Sequence, residues 1–323
     1  MSFECNSQPT TQRKKAQHLC RHWWFSISFL LFSTTLFAAT NLSTPPALQF
    51  IFADKTAATH EAEIQQLVNK AYQHYQPLFQ GYPRDLQGVP YQHLQLSVRS
   101  GDKPGGEADP GQVSLTISDQ VLFGYASWQT LLLHEVFHLW NAESFRYASQ
   151  QEQWFNEGIT DYYAYRTACR IGLISPQQAL SIAALPLGYY SSAKQQLSMR
   201  AAADVSKKQH YFLIYNGGWV VAMVLDFDIR KRSQGKHSLD DLMRWLYQHK
   251  PRHQQLYQLD DLVFGLKQST GLDYQSFFNR YVHGTAKVPV ADYFDLGRAA
   301  WQLEFNEKPS ADSELLYQTL GLR

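Results

Sequence analysis

The stretch LLLHEVFHLWN, residues 131–141, sets two histidines four residues apart with a glutamate beside the first, in a run otherwise apolar enough to be buried. A buried charge without a partner is strongly unfavourable, so His134, Glu135 and His138 all need one. A metal ion supplies it. On a helix, residues i and i+4 share a face, which lets both imidazoles turn a ring nitrogen to one point. Glu135 is rotated about 100° from His134 and reaches the same neighbourhood without ligating. This H-E-x-x-H spacing is the one in which the histidines bind zinc and the glutamate serves as general base.

A catalytic zinc takes three protein ligands and leaves a fourth position open. WFNEGITDYYA, residues 154–164, offers the third: 18 residues, 139–156, separate His138 from Glu157. Taken singly, Glu157 reads as an acid near a helix start, where negative charge suits the dipole. Joined to the first motif, it has the position to close a tetrahedral His, His, Glu site from a second helix, with one Zn2+ per chain.

The rest of the chain bounds the answer. At 323 residues, 44% hydrophobic and 18% charged, it can bury a core as one large domain or two lobes. Aromatics at 14% read mostly as packing. At the N-terminus, RKKAQHLCRH (13–22) carries positive charge directly before WWFSISFLLFSTTLFAA (23–39), the pattern of an export signal. That run is 17 residues long and includes five Ser or Thr, short of the roughly 20 that a spanning helix wants. Residues 1–40 are therefore a signal peptide or an N-terminal anchor through 23–39, and the chain is exported: periplasmic, secreted or membrane-anchored. Residues 1–39 hold four basic and one acidic residue, which leaves 25 Lys plus Arg against 27 Asp plus Glu, net −2. That balance argues against a nucleic-acid partner. Cys5 and Cys20 lie in the leader, so the exported chain keeps Cys169 alone, a small core residue in YYAYRTACRIG.

Along the chain, ALQFIFA (47–53) alternates as a strand and a helix follows over about 59–79. YQHLQLSVR (91–99) and GQVSLTIS (111–118) read as two more strands, separated by the Gly- and Pro-rich SGDKPGGEADPG (100–111), read as a loop. Beyond it the pattern is helical: about 127–143, with Ser127 as N-cap, then 154–172, 176–184, 211–232, 238–249, 259–268 and 274–282. The plan is α+β, with a small α/β lobe over 41–125, a helical lobe over 126–300 and a C-terminal tail over 301–323.

With these residues in place, the sequence resembles the gluzincin metallopeptidases, and most closely the glycyl aminopeptidase family. The resemblance rests on HEVFHLWN, WFNEGITDYYAYRTACRIGLIS, YNGGWVVAMVLDFDIRKRSQGKHSLDDLMRWL and GLDYQSFFNRYVHGTAKVPV, in order over roughly 126–295. It implies a thermolysin-like catalytic domain, zinc dependence and a peptide substrate. By position, His134, His138 and Glu157 are then the ligands and Glu135 the base. Asp161, four residues after Glu157, resembles the acid that orients the first histidine of the motif. Tyr215 in YNGG resembles the tyrosine of the YxKG element, whose hydroxyl supports the tetrahedral intermediate; Gly217 stands where that element has lysine. The family's GGLEH motif, which helps hold the substrate backbone and its terminal amine, is absent. Its nearest counterpart is GGEAD, residues 105–109, in which Glu107 or Asp109 could bind the ammonium. The chain resembles the catalytic domain only, without the family's N-terminal β domain or trailing PDZ domain.

Peptide hydrolysis of aminopeptidase type is the leading expectation. An endopeptidase of the same fold is the alternative, and a catalytically silent peptide-binding module or a zinc hydrolase of another substrate are the rivals. An intact Glu135 and ligand set speak against the silent module. Oligomeric state is not legible.

Overall fold

The computed structural model describes residues 45–193 and 196–323, so the leader read at residues 1–40, with Cys5 and Cys20, lies outside the described residues. Alternation with a period of two builds the sheet. Leu94, Leu96 and Val98 of one strand and Val113, Leu115 and Ile117 of another are buried on one face, with polar neighbours on the other. The strands are β1 (Ala47–Phe52), β2 (His93–Ser100), β3 (Gly105–Asp109) and β4 (Gln112–Ile117), in the order β1-β2-β4-β3. β1 and β2 are parallel with Leu48 beside Leu94, and β2 and β4 are parallel with Leu96 beside Val113. Between β1 and β2 run the short α1 (Lys55–Ala58) and the long α2 (Glu61–Phe79). Ile64, Leu67, Val68, Ala71, Tyr75 and Phe79 recur at helical spacing on the buried side of α2.

β3 corrects the sequence reading. GGEAD was expected in a loop; it is the antiparallel edge strand, with Gly106 beside Leu115 and Ala108 beside Val113. Two glycines and an adjoining Pro110 hide the alternation, because a strand is recognised by its side chains and the inward position 106 has none.

The helical lobe begins with α3 (Trp128–His138), capped by Ser127, whose hydroxyl accepts from Thr130 N at 3.4 Å. The expected helix to residue 143 stops earlier. A wider π-type turn, Leu139–Ser144, follows, and Asn141 leaves helical angles with φ −83 and ψ 28. The freed Asn141 amide donates to Asn156 O at 3.2 Å and to Thr160 Oγ1 at 2.9 Å, both in α4 (Gln153–Arg170), and so locks the end of one helix to the middle of the next.

The remaining helices are α5 (Pro176–Ser192), α6 (Met199–Val205), α7 (Gly217–Arg232), α8 (Leu239–His249), α9 (Leu259–Thr270), α10 (Gln275–Phe278), α11 (Leu296–Glu304) and α12 (Ala311–Thr319). α5 runs past the expected end at 184, through Pro186. The segment Phe212–Arg232 is apolar and long enough to cross a membrane, but 83% of its apolar window is buried inside the domain, which accounts for its composition. Residues 301–323, read as a tail, belong to the body. Leu316, Tyr317 and Leu320 are buried, the Tyr317 hydroxyl donates to Ala299 O at 2.6 Å, and Thr319 O lies 2.7 Å from the Tyr162 hydroxyl.

α4 is buried nearly all round, and α7 crosses it at a pair of glycines. A Cβ on Gly218 would lie 2.1 Å from Trp154 O, and one on Gly158 would lie 2.4 Å from Gly218 Cα. Both clashes are with backbone, which cannot rotate away as a side chain can. At Gly217 a Cβ would meet side chains instead, Met199 Sδ at 2.9 Å and Tyr190 Cδ2 at 3.3 Å, so a longer residue there would have to displace them. Gly218→Ala is expected to lower stability by about 1–3 kcal/mol or more, read as a shift in the urea midpoint at unchanged slope. An unshifted midpoint would mean the helices do not approach this closely.

Candidate active site

α3 and α4 bring three buried ligand side chains to one point. His134 Nε2 and His138 Nε2 lie 2.9 Å apart, and Glu157 Oε2 lies 3.5 Å from each. The three ligand atoms fall within 4.8 Å of one another, and each residue is 7% exposed or less. Two imidazole nitrogens and one carboxylate oxygen, close and nearly dry, are the donor set that a zinc ion takes. The fit shows in a second way. His138 Nδ1 is buried without a hydrogen-bond partner. A metal on His138 Nε2 would fix the proton on Nδ1 and so settle the tautomer of a ring that no hydrogen bond sets from that side.

Asp161 is placed as the sequence expects: its Oδ1 lies 2.7 Å from His134 Nδ1. This contact fixes the tautomer, so that Nε2 faces the ligand point. Burial alone would drive His134 toward its neutral form, yet the charge and hydrogen bond of Asp161, with Glu157 and Glu135, hold its pKa well above the ordinary value. Burial likewise opposes ionisation of Glu157, but the hydrogen bonds to His134 and His138 and the charges of His138 and Lys207 hold it well below the carboxylate range.

Glu135 stands beside the ligands, 6% exposed, against the edge strand. A Cβ on Gly106 would lie 2.4 Å from Glu135 Cγ and 2.7 Å from its Oε1. Only glycine therefore lets β3 pass this close to the carboxylate. Burial raises the pKa of Glu135, against the opposing pull of the two histidines.

Tyr215 borders the same cleft of about 400 Å³ and stacks on Tyr211, ring centroids 4.2 Å apart at 15°. Burial, reinforced by the charges of Glu157 and Asp161, raises its pKa well above the ordinary value. The hydroxyl thus keeps its proton and can donate it in a hydrogen bond.

The structure brings His134, Glu135, His138, Glu157, Asp161 and Tyr215 together. It treats Glu107 and Asp109 differently. Both border the cleft, but cross-strand partners share a face of a sheet. Glu107 pairs with exposed Ser114 and Asp109 with exposed Gln112, whose Nε2 donates to Asp109 Oδ2 at 3.4 Å. Glu107 and Asp109 thus alternate along β3 with Gly106 and Ala108, and both still line the cleft that holds Glu135 and the three ligand residues. Sequence reasoning missed Gly106 and Lys207. The doubled glycine was the only signal for the first, and nothing in SKKQH (206–210) marks the second. Cys169 is the expected buried core thiol, its pKa pushed up to about 12 by burial.

The fold, a small mixed sheet beside a helical body, is that of a thermolysin-like peptidase domain, and its site gathers the donor set that a zinc ion takes. Residues 127–221 match the family model described as M61 glycyl aminopeptidase, so the resemblance read from the motifs holds over the segment that carries the site. Among solved structures, the chain is similar to an aminopeptidase N family protein from Idiomarina loihiensis, with 18% identity and a TM-score of 0.65 over 76% of this chain and 46% of that one. It is similar to an M1 zinc metallopeptidase from Deinococcus radiodurans, with 14% identity and a TM-score of 0.53 over 77% of this chain and 51% of that one. A third is Legionella pneumophila aminopeptidase A in complex with aspartic acid, with 13% identity and a TM-score of 0.51 over 74% of this chain and 26% of that one. At these identities the likeness is one of fold, and the chain spans about half the length of the first two. A search among curated proteins finds no match.

Asp161→Asn is expected to weaken zinc binding about 10- to 100-fold, because it removes the charge that orients His134. Competition with a chromogenic chelator measures it, and an unchanged competition curve would return Asp161 to an ordinary helix-surface acid.

Proposed function

We propose that the chain is a zinc-dependent metallopeptidase that hydrolyses peptide bonds, aminopeptidase-like in its choice of substrate. The observation that carries this reading is the convergence of His134, His138 and Glu157 beside Glu135, directly under a strand that is the sheet's edge among the described residues. An extended peptide can add to that edge as a further strand, held by main-chain hydrogen bonds.

His134, His138 and Glu157 would hold the zinc, which when bound there supplies Lewis acidity that polarises a peptide carbonyl and makes water acidic enough to attack near neutral pH. Glu135 takes the proton from the attacking water and returns it to the leaving amine. Its raised pKa suits both halves of that task, since a stronger base accepts more readily and still releases to an amine. Tyr215 donates a hydrogen bond to the oxygen on which charge develops. Asp161 keeps His134 in the ligating tautomer.

One observation favours a second reading, an endopeptidase. An aminopeptidase needs an acid facing the substrate ammonium, and the cross-strand partners of Glu107 and Asp109, Ser114 and Gln112, are exposed, with Asp109 accepting from Gln112 Nε2. The reading also includes export, on the strength of the basic 13–22 segment before the apolar 23–39 run, which sets the catalytic domain beyond the cytoplasm.

Glu135→Gln is expected to bind zinc as the wild type does and to lose nearly all hydrolysis, because it removes the base and no ligand. The wild type is expected to cut peptides with free N-termini roughly 10- to 150-fold better than N-acetylated ones, the worth of a charge-assisted hydrogen bond to the ammonium. Equal cleavage of both would establish the endopeptidase, and hydrolysis surviving in Glu135→Gln would remove Glu135 from the mechanism.

A further inference from the structure

Lys207 lies in the turn after α6, outside every motif, and its Nζ donates to Glu157 Oε1 at 2.8 Å. The other oxygen of that carboxylate, Oε2, is the one 3.5 Å from both His134 Nε2 and His138 Nε2. The two oxygens of one ligand are thus divided between a lysine and the ligand point. The Lys207 side chain is 43% exposed, so its ammonium has water available and does not need this partner to satisfy a desolvated charge. It is also 5.6 Å from the centre of the Tyr215 ring, on the cleft side of the carboxylate.

We propose that Lys207 is a positioning residue that keeps Glu157 a one-oxygen ligand and draws negative charge from it, so that the metal is held less tightly and remains a stronger Lewis acid. This rests on the zinc reading above. The sign follows from the direction of the hydrogen bond. Asp161 accepts a hydrogen bond from a ligand and makes that ligand more basic, which tightens the metal. Lys207 donates to a ligand and makes it less basic. Its positive charge also repels a divalent ion one carboxylate away, and partial exposure screens that repulsion without removing it. Asp161 and Lys207 therefore act on the same centre in opposite directions, one through His134 and one through Glu157.

This sign separates the proposal from a merely structural role. A lysine that only kept Glu157 in order would, on removal, leave the ligand looser and the metal weaker bound. Zinc affinity of the wild type, Lys207→Met and Lys207→Arg is measured by chelator competition, with circular dichroism confirming that each is folded. The Met variant is expected to bind zinc about tenfold more tightly, to release it more slowly to excess chelator, and to show a lower kcat with little change in KM. The Arg variant, which keeps the charge, is expected to bind zinc as the wild type does. Affinity in Lys207→Met equal to or weaker than wild type overturns the proposal while leaving the metal site standing. A wild-type chain that takes up no zinc overturns the metal reading itself, and this inference with it.

Discussion

One turn of α4 has to satisfy two neighbours at once. Glu157 must face α3 to complete the ligand set, and Gly158, the next residue, must face α7 at a distance that excludes a Cβ. Successive residues of a helix are about 100° apart, so the two demands fall on different sides of one turn without conflict. The glycine contact fixes how deep α4 sits, and depth decides whether Glu157 Oε2 reaches the point between the two histidines. Asn141 adds the third restraint, tying the end of α3 to Asn156 O and Thr160 Oγ1 on either side of that turn.

The far end of α4 is anchored by charge. Asp226 on α7 is fully buried and accepts from Arg230 Nε at 3.1 Å and from the backbone of Leu239 at 2.8 Å, with the Tyr162 hydroxyl 2.7 Å away. Arg166 of α4 reaches Asp240 at the start of α8 at 2.5 Å. Removing one member of such a network strands the others in a low-dielectric interior, so its value lies in specifying one arrangement of α4, α7 and α8. The two ends of α4 thus use different physics. Close backbone approach and the Asn141 hydrogen bonds position the ligand, and a buried charged network fixes the helix that carries it.

The parts legible in the sequence were those in which chemistry and helical period coincide. His134, Glu135 and His138 in an apolar run carry their meaning in residue type and spacing, Glu157 gains its own when joined to them, and Asp161 one turn on takes its role from the family resemblance. β3 was illegible for a physical reason: its work is done by backbone and by the missing side chain of Gly106, and Gly, Asp and Pro in a row read as a turn. The register then supplied what composition could not, Glu107 opposite Ser114 and Asp109 opposite Gln112 on a strand that borders the cleft. Lys207 was invisible because an exposed lysine in a polar turn has no signature until the fold brings it to Glu157. Helices α11 and α12 were readable after the fact, with Asp295 and Ser310 as caps before helices whose buried residues are spaced three or four apart.

The central claim is that one zinc ion is held by two imidazole nitrogens and one carboxylate oxygen at the meeting of α3 and α4. X-ray absorption at the zinc edge, recorded on the purified chain after reconstitution with one equivalent of metal, reads that shell directly. The account predicts two nitrogen ligands at about 2.0–2.1 Å, light oxygen scatterers at about 2.0–2.2 Å and the outer-shell pattern of two imidazoles, with one nitrogen lost in His138→Ala. A spectrum with sulfur in the shell, without imidazole scattering, or unchanged by that substitution would place the metal elsewhere and contradict the account.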